Sequence, residues 1–272
     1  MQEKEQEYAK DSFEDVATKY DEIPFFKLSA KQVVEIIKRQ KRKKNLQVLD
    51  VACGTGNVVL ECASCMPQAN FEAMDISEGM LLKAEQNAKQ LQLENITFYL
   101  EDITKLDSAK RYDVITCAYA LFFLPNAYKV LKTLVSLLSD KGIVIFTSFT
   151  AQAFTPSNEI LLELMRKYGS STAHEYEMDR WENLKEVKDI ERLCRLSDIQ
   201  NSDIETKKIR YAMSLDAWWE LLNNTGYKGM LMELSDAEYE KVKQEYYREM
   251  FKHANMDGEV ELVADSYFVV VS

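Results

Sequence analysis

A glycine-containing segment near residue 50 could hold a small ligand against the main chain. Residues 48–58 read VLDVACGTGNV, which sets Gly54 and Gly56 between a predicted strand and a predicted helix. Glycines at such a turn let a ligand approach the backbone, and the start of the helix offers free N–H groups. Dinucleotide-binding segments share this geometry but carry a third glycine, where this chain has Val59. The carboxylate of Asp50 would repel a pyrophosphate and suits a ligand that carries an ammonium and a sulfonium.

Two further acidic residues follow the next predicted strands. Asp75 comes 19 residues after Gly56, about the distance at which an acid reaches ribose hydroxyls in nucleotide-binding folds. Asp102, after the third strand, could place a carboxylate at the edge of an adenine. The carboxyl ends of neighbouring parallel strands form the crevice in which open α/β sheets bind ligands. A helix N-cap is an alternative role for Asp75, although Ser77 serves that role as well.

Taken in order, these segments resemble the successive motifs of class I S-adenosylmethionine (AdoMet) methyltransferases. The resemblance continues through residues 74–80 (MDISEGM), the Glu101-Asp102 turn and residues 111–126 (RYDVITCAYALFFLPN). It covers roughly residues 10–150 and is most similar in character to the ubiquinone and menaquinone biosynthesis methyltransferases and their small-molecule relatives. Many of those relatives have two histidines where this chain has Phe122-Phe123, so we expect an apolar wall at that place.

The resemblance implies an AdoMet site, with S-adenosylhomocysteine (AdoHcy) as the product. It implies methionine-end contacts by one group of residues, Asp50, Ala52, Gly54 and Gly56. It implies ribose and adenine contacts by a second group, Asp75, Ile76, Asp102 and Ile103, with Met80 packing nearby. Ala118 and Tyr119 would lie beneath the reacting centre. Tyr20, on a predicted opening helix, would either approach the cofactor or pack in the core.

The pattern of elements predicts the fold that must position these residues. Short β-rich runs at 47–51, 70–75, 96–100, 112–118 and 142–148 alternate with helical runs at 57–65, 79–91 and 127–138, which is typical of a parallel sheet with crossover helices. Two later runs, 203–212 and 259–271, are expected to pair antiparallel at the sheet edge. We therefore predict one α/β domain over 1–272, with a Rossmann-like, seven-stranded, mostly parallel sheet. Its AdoMet-binding core would be 31–149, and a helical cap would come from 1–30 and parts of 150–256.

Charge and composition narrow the class of partner. The net charge of −11 lowers the expectation of nucleic-acid binding. Six basic residues lie within positions 38–44, and they suggest either an RNA-binding patch or the solvated end of a helix. We expect the helix end. No secretory leader and no run of about 18 apolar residues occurs, so a cytoplasmic protein without a membrane span is expected.

The reactive side chains give no catalytic set. Cys62 and Cys65 form a C-x-x-C pair, but no second Cys or His pair accompanies them, so we expect two buried structural thiols and no metal. Methyl transfer from a sulfonium mainly needs alignment and exclusion of water. If a base is required, the candidates are Tyr20, Tyr119 and His174.

A small, partly apolar acceptor is the predicted substrate. The motif expected for methylation of nucleic-acid amines, Asn/Asp-Pro-Pro-Tyr, is missing after the fourth strand, where Ala118-Tyr119-Ala120 stands. Trp218 and Trp219 would pack within the cap rather than form a substrate cage. The alternatives are an RNA methyltransferase, a non-catalytic AdoMet-binding module and, less favoured, a dinucleotide oxidoreductase.

Overall fold

The computed structural model describes residues 23–41, 43–107, 109–124, 126–170, 183–225 and 227–272, so Tyr20 and His174 lie outside the described residues. The strands are β1 Gln47–Val51, β2 Asn70–Asp75, β3 Ile96–Leu100, β4 Tyr112–Ala118, β5 Leu138–Phe149, β6 Ser202–Lys207, β7 Arg210–Ser214, β8 Glu259–Val263 and β9 Ser266–Val271. The helices are α1 Pro24–Gln40, α2 Asn57–Cys65, α3 Glu78–Gln90, α4 Ala127–Ser136, α5 Ser157–Lys167, α6 Val187–Leu196, α7 Leu215–Asn223, α8 Lys228–Leu231 and α9 Asp236–Phe251.

Seven strands form one sheet in the order β3-β2-β1-β4-β5-β9-β6. Strands β1 to β5 are parallel, and β9 runs antiparallel between β5 and β6. In this register Asp50 pairs with Ala73 on one side and with Thr116 on the other. The ends of β1, β2 and β4 therefore meet at one edge of the sheet. The predicted Rossmann-like sheet, mostly parallel with an antiparallel edge, is confirmed.

Apolar side chains bury both faces of the sheet beneath helices. One face packs against α1 and α2, through residues such as Ile36 and Val59, and the same buried cluster continues into α5, α7, α8 and α9, through Leu161 and Trp218. The other face packs against α4 and α6, through Leu131 and Leu193. Helix α6 therefore covers this face of the sheet. Trp218 and Trp219 are 0% and 2% exposed, so both pack inside the protein as predicted.

The two runs predicted as edge strands are each divided in two. β6 and β9 join the main sheet, whereas β7 and β8 pair with each other in a separate ribbon. The division falls at Asp265, whose carboxylate accepts hydrogen bonds from the Ile209 amide (3.2 Å) and the Arg210 guanidinium (2.7 Å). These bonds lie where both segments pass from the main sheet to the ribbon, and the Ala264 amide also donates to the Ile209 carbonyl there, at 2.8 Å. Ladder continuity is thus set by a side chain that the β-like pattern did not reveal.

The basic run ends a helix, as expected. Lys38 and Arg39 occupy the last turn of α1, and Lys41 follows it. Arg39 pairs with Glu205, Lys41 donates to the carbonyl of Lys141, and Lys43 lies 3.0 Å from Asp113. Three of these cations are therefore engaged by the chain's own acceptors. Among the described helices, none is both long and apolar enough to cross a membrane.

Candidate active site

The loop between β1 and α2 adopts the left-handed backbone that its glycines favour. Gly54 and Gly56 have φ values of +56° and +87°, and Ala52 has φ 52°. A Cβ on Gly56 would lie 3.1 Å from Leu60, so this glycine permits close packing of the loop on its helix. A Cβ on Gly54 would meet nothing within 4 Å, so its side faces open space. Gly54 therefore leaves room where a ligand could approach the backbone.

Asp50 lies at the end of the central strand and is 1% exposed. Its Oδ1 accepts a hydrogen bond of 2.6 Å from the Thr116 hydroxyl. Its Oδ2 has no hydrogen-bond partner among the described residues, although it is fully buried. Burial raises the pKa of Asp50 from 3.8 to about 7, against the opposing effect of Thr116 and the amide of Val59. An unpaired buried carboxylate oxygen is costly, and it is the atom that a cationic ligand would satisfy.

Asp75 ties the glycine loop to the end of β2. Its Oδ2 accepts from the amide of Gly54 at 2.8 Å, and its Oδ1 accepts from the amide of Ser77 at 3.0 Å. Ser77 is the N-cap of α3 and accepts from the amide of Met80, so the alternative capping role does not fall to Asp75. Each carboxylate oxygen can accept more than one bond, so Asp75 can hold the loop and still bind a hydroxyl.

The third acidic position is already occupied by local bonds. Asp102 accepts from the amide of Thr104 at 2.8 Å and from its hydroxyl at 2.7 Å, and lies 3.3 Å from Lys105. Burial raises the pKa of Asp102, but these bonds outweigh it and hold the pKa below its usual value. Ile103 is buried, whereas Ile76 at the end of β2 is exposed. A contact of these residues with an adenine stays a prediction.

Tyr119 follows β4 in a left-handed conformation, with φ 53°. Such a backbone is strained for a tyrosine and persists only where neighbours fix it. Its amide donates to the Thr147 hydroxyl at 3.0 Å, and its ring stacks on Phe149 at 4.4 Å. Burial raises the pKa of the Tyr119 hydroxyl, so the phenol stays protonated at neutral pH. This phenol is therefore a poor general base.

One pocket collects the residues of the glycine loop and of the turn after β4. Of the predicted site residues it brings together Asp50, Ala52, Gly54, Ala118 and Tyr119. Its wall is completed by Phe26, Ser29, Cys53, Asn57 and Val58. Gly56, Asp75, Ile76, Met80, Asp102 and Ile103 are not among its lining residues. Phe26 and Ser29 were missed as site residues because only their packing, not their spacing, brings α1 to the loop.

The predicted pair of buried thiols is wrong for one member. Cys62 is buried and Cys65 is exposed. Three helical residues correspond to almost one full revolution, so the two cysteines lie on nearly the same side of α2. Cys65 is the last residue of the helix, and only Cys62 is covered by the rest of the protein. Among the described residues, no group of three or more His, Cys, Asp or Glu side chains could hold a metal ion.

Comparison with known proteins gives the family. Residues 42–255 match the family model described as a methyltransferase domain. The chain belongs to this methyltransferase family. It is 33% identical over 131 residues to the malonyl-[acyl-carrier protein] O-methyltransferase of Bacillus cereus, covering 47% of each chain. It is 31% identical over 157 residues to the ubiquinone biosynthesis O-methyltransferase of Coxiella burnetii, covering 54% of this chain and 66% of that one.

The chain spans about half the length of the first curated relatives it matches. Solved structures show the same fold at low identity. The YcgJ protein of Bacillus subtilis matches with a TM-score of 0.56 at 17% identity, over 87% of this chain and 95% of that one. The plantazolicin methyltransferase BpumL, solved in complex with SAH, matches with a TM-score of 0.54 at 17% identity, over 100% of this chain and 98% of that one. These likenesses support the architecture of a central sheet with helices on both faces.

Proposed function

We propose that this methyltransferase binds AdoMet across the ends of β1, β2 and β4 and transfers its methyl group to a small, partly apolar acceptor. The observation that carries the proposal is the unpaired, buried Oδ2 of Asp50 at a pocket beside the open face of Gly54. Uncompensated burial of this oxygen makes sense if a cation completes its hydrogen bonds. The ammonium of AdoMet supplies such a cation.

The neighbouring acidic residues fit the rest of the cofactor. Asp75 would receive the ribose hydroxyls while it holds the amide of Gly54, and Asp102 with Ile103 would meet the adenine. Ile76 and Met80 would pack beside them, and Gly56 would keep the loop against α2. Tyr20 is retained as a further candidate for the cofactor. This order, from Asp50 to Asp102, follows the order of the strands β1, β2 and β3 in the sheet.

AdoMet supplies a methyl group on a sulfonium, a leaving group that needs no protonation. The protein therefore has to orient the acceptor and exclude water. Burial raises the pKa of the Cys53 thiol well above its usual value and also raises that of Tyr119, so neither serves as a base near neutral pH. The other candidate bases, Tyr20 and His174, lie outside the described residues. We propose an acceptor acidic enough to lose its own proton, as a carboxylic acid or an acidic hydroxyl does.

An oxygen acceptor agrees with the chemistry of the pocket and of the relatives. Phe26 and Tyr119 give the pocket an aromatic side, and Phe122 packs near Phe149 behind it. The names of both curated relatives specify O-methyltransferases, although their acceptors differ. We extend the acceptor atom, but not either acceptor, to this methyltransferase.

The experiment is a binding and turnover comparison. Calorimetric titration should detect AdoMet and AdoHcy but not NAD. Radiolabelled AdoMet should then be tested with a panel of carboxylic acids and phenols, and with RNA in parallel. Label transfer to RNA alone would favour the RNA methyltransferase, and tight binding with no transfer across the panel would favour the non-catalytic module.

A further inference from the structure

A chain of buried hydroxyls runs from α1 to β9 beside the pocket. The Ser29 and Tyr119 hydroxyls lie 2.8 Å apart. The Tyr119 hydroxyl donates to Ser266 at 2.9 Å, and Ser266 donates to the carbonyl of Ala264 at 2.8 Å. Ser29 is 1% exposed and Ser266 is 0% exposed, so water does not compete for these bonds.

The number of protons available fixes the direction of each hydrogen bond in this series of hydroxyls. A hydroxyl has one proton to donate, and a carbonyl can only accept. The proton of Ser266 goes to Ala264, and the proton of Tyr119 therefore goes to Ser266. The bond between Ser29 and Tyr119 must then use the proton of Ser29. The Ser29 oxygen is then the end of the hydrogen-bond series and offers only lone pairs to a ligand. Hydrogen bonds in series polarise one another, which makes this oxygen a stronger acceptor.

The open end lies in the wall of the same pocket as Asp50. Among the lining residues that the structure describes, none is a Lys, Arg or His. An ammonium has three N–H donors, and Asp50 Oδ2 satisfies only part of that capacity. A ligand carboxylate at this place would face lone pairs on both residues. The pocket is thus complementary to a cation at two points, on β1 and on α1.

We propose that the Ser29 Oγ accepts a second hydrogen bond from the ammonium group of AdoMet and AdoHcy. Tyr119 acts as a positioning residue, because its hydroxyl takes the proton of Ser29 and so keeps that proton away from the ammonium. The inference rests on the proposed AdoMet site and deepens it. It makes α1 a part of the cofactor site, through a residue that lies outside the glycine segment.

The test compares AdoHcy with 5′-methylthioadenosine, which keeps the adenine and ribose but lacks the amino-acid group. Calorimetric titration of Ser29→Ala should show AdoHcy binding weakened about tenfold, the cost of one hydrogen bond to a charged group. Binding of 5′-methylthioadenosine should stay unchanged. Tyr119→Phe should act in the same selective direction, because Ser29 loses its acceptor and can turn its proton into the pocket. On a Ser29→Ala background, Tyr119→Phe should cause no further loss of AdoHcy affinity.

A matched control exists elsewhere in the chain. Ser157 and Tyr246 form a second buried hydroxyl pair, 2.6 Å apart, and neither residue lines the pocket. Ser157→Ala and Tyr246→Phe should leave the ratio of the two affinities unchanged. Should Ser29→Ala not fold by circular dichroism, Tyr119→Phe carries the same test, since it keeps the ring that stacks on Phe149.

Two results would overturn the inference. Equal weakening of both ligands would make Ser29 a structural residue, and unchanged AdoHcy binding would show that the ammonium does not contact it. In either case wild-type binding of AdoHcy leaves the proposed function standing. Failure of the folded wild-type protein to bind either ligand would remove the proposed function as well.

Discussion

Asp50 gives the sharpest prediction, because its burial links the cofactor site to the stability of the fold. The change is Asp50→Asn, which keeps an oxygen for the Thr116 hydroxyl and removes the ionisable group. In the folded protein the pKa of Asp50 is raised from 3.8 to about 7. A raised carboxyl pKa means that the contribution of Asp50 to stability is most favourable at low pH and falls as the pH rises from 3.8 through 7.

The size of this effect follows from the two pKa values. Between pH 5 and pH 8 the folded wild-type protein must ionise a buried carboxyl that the unfolded chain has already ionised. Linkage then lowers the free energy of unfolding of the wild type by roughly 2–3 kcal/mol relative to Asp50→Asn across this range. The new amide also leaves N–H groups without partners, but that cost does not depend on pH. The change of the difference with pH is therefore the informative quantity.

Urea denaturation of both proteins at pH 5, 6, 7 and 8 measures this difference. Asp113→Asn is the control, since Asp113 lies on β4 of the same sheet. Burial raises the pKa of Asp113, but bonds from the Gln47 amide, Lys43 and Ser139 outweigh this and lower it. Asp113 is thus ionised in both states over the whole range, and its variant should differ from wild type by a constant amount. A constant difference for Asp50→Asn as well would refute the argument that Asp50 is buried without compensation.

The cofactor should alter the same measurement. If an ammonium contacts Asp50 Oδ2, saturating AdoHcy lowers the pKa of Asp50 and flattens the pH dependence of the wild type. In the absence of that contact, AdoHcy would stabilise the protein equally at pH 5 and pH 7. Asp50→Asn should also bind AdoHcy about tenfold or more weakly, while 5′-methylthioadenosine binds nearly as before.

Three further changes test other parts of the site. Asp75→Ala should weaken the binding of AdoHcy and of 5′-methylthioadenosine alike, by about tenfold or more in calorimetry, because both ligands carry the ribose. Asp75→Asn should weaken binding less. Wild-type affinity in a folded Asp75→Ala protein would show that the cofactor does not bind at the proposed site. Replacing Cys62 and Cys65 by Ala should leave AdoHcy affinity nearly unchanged, and elemental analysis should find no stoichiometric zinc, whereas one tightly held zinc per chain would contradict a structural role. Lys43→Glu should reduce the free energy of unfolding by about 1 kcal/mol or less, because it removes the ion pair with Asp113. Activity on a small acceptor should stay intact. Joint loss of activity and of a salt-dependent mobility shift with RNA would instead support the RNA methyltransferase.

Local pattern was sufficient for the central architecture and for the identity of the acidic positions. The alternation of apolar runs with amphipathic helices predicted β1 to β4 at their observed residues. This was possible because the hydrophobic period of a strand or a helix can be recognised within one short segment of sequence. The glycines of the loop marked the place where left-handed backbone was required, and the structure has it at both. Parallel strands with crossover helices then had to bring Asp50 and Asp75 to one edge.

Other features depended on contacts between distant segments. Whether Asp50 is satisfied or left with a bare oxygen depends on Thr116, 66 residues away, and on the pocket around it. The entry of Ser29 into the site depends on the packing of α1 against α2 and on a bond to Tyr119, 90 residues away. The division of the edge strands depends on where Asp265 meets Arg210.

The sequence by itself therefore determined the central strands and helices and predicted most of the residues proposed to bind the cofactor. Only the tertiary structure decided which of those groups are already bonded and which remain available. Asp102 is occupied by Thr104 within its own turn, whereas Asp50 keeps one oxygen without a partner among the described residues. The physical reason is that burial and hydrogen-bond satisfaction are properties of the packed neighbourhood, while strand, helix and turn preferences are properties of the local chain.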